Sequence, residues 1–273
     1  MEPRIARPLP YAASMLPASA GSDNISMMSP TEPAGRPRFS IIIPARNEER
    51  WIGACLESIR VAAAMHRGPV ETIVVLNRCT DATEAIARGF GARTLDIAGK
   101  NLSVVRNAGA RAATGDIVVT IDADSVMAPN TLTEIDRLLA TGKYIGGGAI
   151  VRLERMSLGI AMTYVPIFAW IVLWQGLSAG LFWMRRGDFE AIGGFDETLL
   201  SAEDLDLAKR LRTYGRAHGK RFGTLWRAPI TTSCRKFDHF GDWYLLRNAP
   251  RFVSMLGGRN EGMANHFFYD FPH

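Results

Sequence analysis

Phe39-Ser-Ile-Ile-Ile-Pro-Ala-Arg-Asn-Glu48 joins a short apolar run to a polar turn, and Pro44 marks the point where the apolar run stops. An apolar run of this length predicts a buried β-strand. Apolar residues then recur at helical spacing from Trp51 to Ile59, which predicts a helix packed against that strand. This part of the chain therefore has the order strand, polar turn, helix.

The same order repeats in the next part of the chain. Residues 72–76 predict a second strand, which is followed by the polar turn Asn77-Arg-Cys-Thr-Asp81 and a helix through Ala87. A third strand, residues 117–121, ends at Asp122-Ala-Asp124. Strands alternating with helices predict an α/β fold with a mostly parallel central sheet and helices on both faces. Ligands of such sheets bind beyond the carboxyl ends of the strands, where all three polar turns fall.

The composition is that of an ordinary globular protein, with 273 residues, 47% hydrophobic and 22% charged. The net charge of +5 is local, because nine Lys or Arg and no acid lie between Lys209 and Lys236. Such a segment favours an anionic partner, such as a phosphate, a nucleic acid or an acidic lipid surface, or it is a solvated helix face. The three cysteines form no Cys-x-x-Cys pair, which supports neither a disulfide framework nor a zinc site and fits a reducing compartment.

Two stretches of the chain differ from the rest in composition. Residues 1–37 hold seven of the 14 prolines and show no apolar period, which predicts a disordered extension without a secretory signal, and hence a cytoplasmic protein. Residues 157–184 carry no charge. A packed or interfacial helix is favoured over a membrane span there, because Pro166, Gly176 and Gly180 interrupt the stretch and a strand-like Gly180-Leu-Phe-Trp-Met184 ends it.

Two acidic clusters carry the candidate chemistry. Asp122 and Asp124 follow a strand, where two hard oxygen ligands can hold Mg²⁺ or Mn²⁺ together with substrate phosphates, although loop capping would also explain them. Ser201-Ala-Glu-Asp-Leu-Asp206 opens a helix that is predicted to run to about Tyr214 and stop at Gly215. The helix dipole alone would account for acids in its first turn, but a carboxylate facing a cleft could also accept a proton from a hydroxyl.

These segments stand in the order found in family 2 glycosyltransferases, which the chain resembles from about Phe39 to Leu211. The resemblance implies the GT-A fold over residues 38–230, with residues 231–273 as a basic-aromatic segment packed on or covering the active site. The segments that carry it are Ile41–Glu48, Val74–Thr83, Val105–Gly109, Ile121–Asp124, Arg185–Glu197 and Glu203-Asp204.

The resemblance also implies roles for single residues. Asp204 matches the catalytic base, with Glu203 beside it, and Asn77 stands where family members often place an aspartate that reads the base. Asp122 would contact the ribose or the metal, and Asp124 would ligate Mn²⁺ or Mg²⁺. The remaining donor-binding residues implied by the match are Pro44, Ala45, Asn47, Glu48, Asp81 and Arg106. Of these, Arg106 would approach the diphosphate or close the donor pocket.

The basic segment near the end of the chain gains a role from the same resemblance. Arg235 and Lys236 fall where related enzymes carry a mobile basic-aromatic loop over the diphosphate, and His239 is a candidate third metal ligand. The aromatic end, His266-Phe-Phe-Tyr-Asp-Phe271, and the uncharged stretch motivate a hypothesis of peripheral attachment to the inner membrane face, where a lipid-linked acceptor would be reached.

The predicted activity is metal-dependent transfer of a sugar from a UDP- or GDP-sugar to the hydroxyl of a carbohydrate or lipid-linked acceptor, with inversion, in synthesis of an envelope polysaccharide or glycolipid. Three alternatives stay open: a retaining enzyme of related type, a nucleotidyltransferase, and a nucleotide-sugar-binding protein without catalysis. A nucleotidyltransferase would usually carry a Gly-rich phosphate loop with a lysine, where this chain has Pro-Ala-Arg-Asn-Glu48. Nucleic-acid binding is not expected, because it would leave the other segments unexplained.

Overall fold

The computed structural model of the chain describes residues 36–99, 101–199 and 202–248. Nearly all of the extension predicted for residues 1–37 lies outside this part, as does the aromatic end of the chain. The N-cap role predicted for Ser201 also falls outside the described residues.

Four parallel strands build the first half of the central sheet, in the spatial order β3-β2-β1-β4. Successive residues of β1 point to opposite faces, so that Ile41 and Ile43 enter one hydrophobic core and Ile42 enters the other. Both faces are thus covered, which explains why β1 is buried along its whole length. The strands are β1 (Phe39–Ala45), β2 (Val70–Asn77), β3 (Arg93–Ile97) and β4 (Ile117–Ile121).

Helices cover the two faces of this half-sheet. α1 (Ile52–His66) packs the predicted apolar stripe, including Cys55, into the core that holds Ile41. α2 (Thr83–Gly89) lies beside α1, and α3 (Leu102–Ala112) covers the opposite face. Gly109 lets α3 approach closely, because a Cβ there would lie 2.4 Å from Ile42 Cγ2. The three strands predicted within residues 39–121 and the helices predicted after the first two are confirmed, whereas β3 and α3 were not predicted.

The second half of the sheet is mixed. β7 (Ala179–Arg185) inserts between β4 and β6 (Tyr144–Leu153) and runs antiparallel to both, whereas β6 runs parallel to β8 (Arg221–Thr232). The two-residue β5 (Ser125–Val126) closes the order β3-β2-β1-β4-β7-β6-β8-β5. β8 passes the domain boundary predicted at residue 230, because its last two residues pair with β5.

The uncharged stretch is divided among three elements. α5 (Leu158–Phe168) is followed by a π-helical segment (Ala169–Trp174), and the chain then enters the sheet as β7. Within the residues described, no helix has both the length and the apolar character needed to cross a membrane. The strand expected from Gly180 is confirmed as part of β7.

The remaining helices pack around the second half of the sheet. α7 extends to Ala217 rather than stopping near Gly215, because Gly215 is a packing position: a Cβ there would lie 2.7 Å from Ile145 Cγ2 in β6. The turn after α7 falls at Gly219, whose φ is +66°. The helices are α4 (Thr131–Ala140), α6 (Arg186–Ala191), α7 (Glu203–Ala217), α8 (Arg235–Phe240) and α9 (Tyr244–Arg247).

Candidate active site

The turns that follow β1 and β2 are bound to each other at the edge of the sheet. Asn47, with φ +52°, accepts a hydrogen bond at Oδ1 from the backbone N–H of Thr80 at 2.8 Å. Asp81 accepts from the backbone N–H of Glu49 at 3.0 Å, and the Glu49 carboxylate accepts in return from the N–H of Ala82. The structure therefore joins two segments that were predicted to bind the donor. We call them together the donor wall: residues 47–49 and 80–82.

Arg106 of α3 is the centre of a second arrangement, which we call the Arg106 cluster: Arg106, Asp122, Glu203 and Asp204. Its Nη2 lies 2.7 Å from Asp122 Oδ1, and its Nη1 lies 2.6 Å from Asp204 Oδ1 and 3.3 Å from Glu203 Oε1. The side chain of Arg106 is only 4% exposed. One guanidinium thus joins the end of β4 to the first turn of α7.

Burial and the neighbouring charges shift the pKa values of Arg106 and Asp204. Burial alone would lower the pKa of Arg106, but attraction by Asp204, Asp122 and Glu203 outweighs it and raises that pKa. Burial raises the pKa of Asp204 to about 7, against the opposing effect of Arg106. With one cation and three carboxyl groups, the cluster carries excess negative charge whenever its carboxyl groups are ionised.

Arg235 of α8 is the centre of what we call the Arg235 cluster: Arg235, Glu48 and Asp124. Its Nη1 and Nη2 donate to the two oxygens of Glu48 at 2.8 and 2.9 Å, and its Nε lies 3.1 Å from Asp124 Oδ2. Ser233 Oγ donates to the same Asp124 oxygen at 2.8 Å. Burial raises the pKa of Glu48 to about 7, although Arg235 opposes the shift. Arg235 thus links the start of α8 to Glu48 in the turn after β1.

The remaining predicted residues take different positions. Lys236 follows Arg235 in α8, and burial lowers its pKa to about 8. His239 is exposed, and its ring meets that of Phe240 edge-on with centroids 4.7 Å apart. Pro44 is buried within β1 with Ala45. Asn77 ends β2, and its Oδ1 is buried with no hydrogen-bond partner in the part of the chain that is described.

The described residues supply only part of the ligand shell of a divalent cation at this site. No three His, Cys, Asp or Glu side chains of the described residues form a group that could hold a metal ion. Asp122 and Asp124 nevertheless offer hard oxygen donors beside Arg106 and Arg235, in two clusters that hold more carboxyl groups than arginines. This donor set suits Mg²⁺ or Mn²⁺, which commonly take one or two carboxylates and complete their shell with phosphates and water.

Asn107 has a positioning role that the sequence did not reveal. Its Nδ2 donates to the Phe195 carbonyl at 2.8 Å, and its Oδ1 accepts from the Phe195 N–H at 2.9 Å. A Cβ on Gly194, which has φ +67°, would lie 2.6 Å from that Oδ1. The Phe195 ring then lies 5.1 Å from Arg106 Cζ. Asn107 and Phe195 both lie in segments that carry the family resemblance. Because 88 residues separate them in the chain, the sequence did not predict their contact.

Comparison with known proteins supports the fold and the family. Residues 40–170 match the family model for Glycosyl transferase family 2. A 59-residue segment is 45% identical to 4,4'-diaponeurosporenoate glycosyltransferase of Staphylococcus aureus (strain MRSA252), and this segment covers 22% of the present chain and 15% of that enzyme. Most of that enzyme's length therefore has no counterpart in the alignment.

Solved structures agree over a larger part of the chain. S. aureus TarS (residues 1–349) in complex with UDP-GlcNAc superimposes with a TM-score of 0.58 at 16% identity, covering 86% of this chain and 71% of TarS. Mannosyltransferase PcManGT from Pyrobaculum calidifontis, in complex with GDP-Man and Mn²⁺, gives 0.57 at 17% identity, covering 87% and 76%. The predicted α/β fold is thus confirmed: the chain has the GT-A fold, and its residues 40–170 match the glycosyl transferase family 2 model.

Proposed function

We propose that this protein transfers a sugar from a nucleoside diphosphate sugar to an acceptor hydroxyl, with inversion at the anomeric carbon. The observation that carries the proposal is the Arg106 cluster, in which one buried guanidinium binds both Asp122 at the end of β4 and Asp204 in α7. Transfer needs a donor-binding group and a base on opposite sides of the reacting carbon. The guanidinium fixes the spacing between two carboxylates suited to these roles.

Asp204 is the group proposed to accept the proton of the acceptor hydroxyl. Its side chain is 28% exposed, so a substrate can reach it, and Arg106 holds one of its oxygens. The carboxylate is the form that acts as a base, and it predominates above a pKa of about 7. As the hydroxyl oxygen bonds to the anomeric carbon, the bond from that carbon to the diphosphate breaks on the opposite face.

The diphosphate leaves with negative charge that cations must stabilise. Arg235 and Lys236 lie on α8 beside the donor wall, and we assign them this task. Asp122 and Asp124 would hold a divalent cation, which when bound supplies Lewis-acid stabilisation of the phosphate oxygens. The neighbour that binds GDP-Man was solved with Mn²⁺, which supports this assignment.

Asn77 is proposed to read the nucleobase. Its Oδ1 is a buried acceptor without a partner among the residues described, which is costly unless a ligand supplies a donor. Uracil and guanine both present an N–H next to a carbonyl, which complements a carboxamide. A donor with either base is consistent with the neighbours, which bind UDP-GlcNAc and GDP-Man.

The direct test is nucleotide release from a panel of UDP- and GDP-sugars with Mn²⁺ or Mg²⁺. We expect release of a nucleoside diphosphate that requires the metal and is abolished in Asp124→Ala and Asp204→Asn. Glu190→Gln is the matched control, because Glu190 is an exposed carboxylate of α6 outside both clusters. Release of pyrophosphate would instead indicate nucleotidyl transfer, and binding without turnover, even with candidate acceptors, would indicate a binding protein.

A further inference from the structure

The outer face of α5 is apolar. Leu158, Met162 and Val165 are 71%, 53% and 55% exposed, and their spacing places them on one side of the helix. No charged residue occurs anywhere in residues 157–184 that would interrupt this surface. A helix on the surface of a globular protein normally directs polar residues towards the solvent. An exposed apolar face of this kind therefore indicates an interaction site.

The apolar surface continues onto the neighbouring elements. Trp243 and Leu246, at α9, are 40% and 41% exposed, and Trp170 of the π-helical segment is 44% exposed. α9 packs on α5 at Gly159, where a Cβ would lie 3.0 Å from the Trp243 ring. We call this surface the α5–α9 face: Leu158, Met162, Val165, Trp170, Trp243 and Leu246.

Two acidic groups beside this face share one arginine, which compensates part of their charge. Asp238 in α8 and Asp242 between α8 and α9 both contact Arg155 Nη2, at 2.5 and 2.7 Å. Pairing with one arginine lowers the pKa of Asp242, so that it stays ionised but compensated. These carboxylates therefore oppose an approaching anionic surface less than free ones would.

Basic groups lie at both ends of the same face. Arg247 is exposed on α9, next to Leu246. At the other end, Arg212 of α7 donates from Nη1 to the Gln175 carbonyl just after the π-helical segment. Lys209 and Arg216, three residues before and four after Arg212, lie on the same side of α7 and are exposed. An apolar surface bordered by cations complements a bilayer that carries acidic headgroups.

We propose that the α5–α9 face docks on an anionic phospholipid bilayer, with its apolar side chains entering the headgroup region. α8, which carries Arg235 into the candidate active site, directly precedes α9 in the chain. Docking would therefore bring the C-terminal side of the site to the membrane surface. The proposal rests on the surface alone and does not require the proposed glycosyl transfer.

Vesicle co-sedimentation of the full chain tests it. With phosphatidylcholine vesicles that contain phosphatidylglycerol, we expect binding that weakens as salt is added, and at least a tenfold loss in the double variant Met162→Glu, Val165→Glu. Met65→Glu is the matched control, because Met65 of α1 is also 53% exposed but lies outside the α5–α9 face. It should bind like the unmodified chain.

Several results would overturn the proposal. These are no binding to the acidic vesicles, equal binding by the double variant, or equal loss in Met65→Glu. A dimer in light scattering that only the double variant dissociates, without vesicle binding, would assign the face to a second copy of the chain. Leu158→Glu provides a second variant if the double one misfolds by circular dichroism. Nucleotide release without vesicles should be unchanged in all variants, which separates this test from that of the proposed function.

Discussion

Arg106 and Arg235 bind carboxylates at the same edge of the sheet, but they reach it from different parts of the molecule. Arg106 comes from α3 in the core, is 4% exposed and contacts three carboxyl groups. Arg235 comes from the six-residue α8, is 17% exposed and contacts two carboxyl groups among the residues that the structure describes. We therefore predict that the Arg106 cluster is a fixed part of the fold, and that Arg235 exchanges its contacts for those of a substrate.

The largest effect is expected from Asp204→Asn, which removes one carboxylate from the Arg106 cluster and leaves the Arg235 cluster unchanged. An amide cannot accept the hydroxyl proton, so the turnover number should fall by about 10³ to 10⁴. Donor affinity, measured by calorimetry, should stay within about twofold. Asp206→Asn on the same helix is the control, since Asp206 pairs with Arg210 instead. Equal losses in both variants would refute a specific role for Asp204.

Arg106→Met tests whether the Arg106 cluster is structural as well as catalytic. Removing the cation leaves Asp122, Glu203 and Asp204 uncompensated beside one another, and breaking a buried ion pair typically costs about 4 kcal/mol. We expect a loss of that order in the free energy of unfolding, measured in urea, together with lost activity. A stable but inactive variant would show that Arg106 acts only on the substrate.

The sequence predicted the first half of the fold better than the second, because the patterns there are local. The β1, β2 and β4 strands each follow from a short apolar run and a polar turn. The insertion of β7 between β4 and β6 depends on pairing between distant segments, which no local period encodes. The same holds for Gly215, which lies inside α7 at a position where a Cβ would come within 2.7 Å of Ile145 Cγ2.

The candidate site shows the same division. The residue types and the strand ends that carry them were predicted, but the partners were not. Arg106 was expected near a diphosphate, whereas its terminal nitrogens bind carboxyl groups up to 98 residues away. An ion pair between groups this far apart in the chain becomes visible only in the folded structure. The roles of the individual site residues stay predictions.

Glu48→Gln tests how the ionisation of Glu48 in the Arg235 cluster changes the free energy of unfolding with pH. Burial raises the pKa of Glu48 from about 4.5 to about 7, so the folded state binds more protons than the unfolded state between these values. Its stabilising contribution is therefore complete below about pH 4.5 and is lost as the pH rises through about 7, a change of about 3 kcal/mol.

The variant should flatten this decline in the free energy of unfolding. Glu49→Gln is the neighbouring control, since Glu49 is exposed. A decline of the same size in Glu48→Gln would mean that Glu48 is not the titrating group.

Arg235→Met bears most directly on whether the Arg235 contacts are exchangeable. If Arg235 leaves Glu48 and Asp124 for the diphosphate, its loss should weaken donor binding about tenfold by calorimetry. It should also lower the free energy of unfolding, because Glu48 and Asp124 lose their cation in a largely buried site. Arg155→Met separates this charge effect from a loosened α8, because Arg155 pairs with Asp238 and Asp242 and, in the described part of the chain, forms no ion pair with Glu48 or Asp124. Equal weakening in both variants would mean that only the placement of α8 matters. Tighter binding in Arg235→Met would mean that the arginine competes with the donor, because a group that stabilises only the donor-free state must be displaced before the diphosphate can bind.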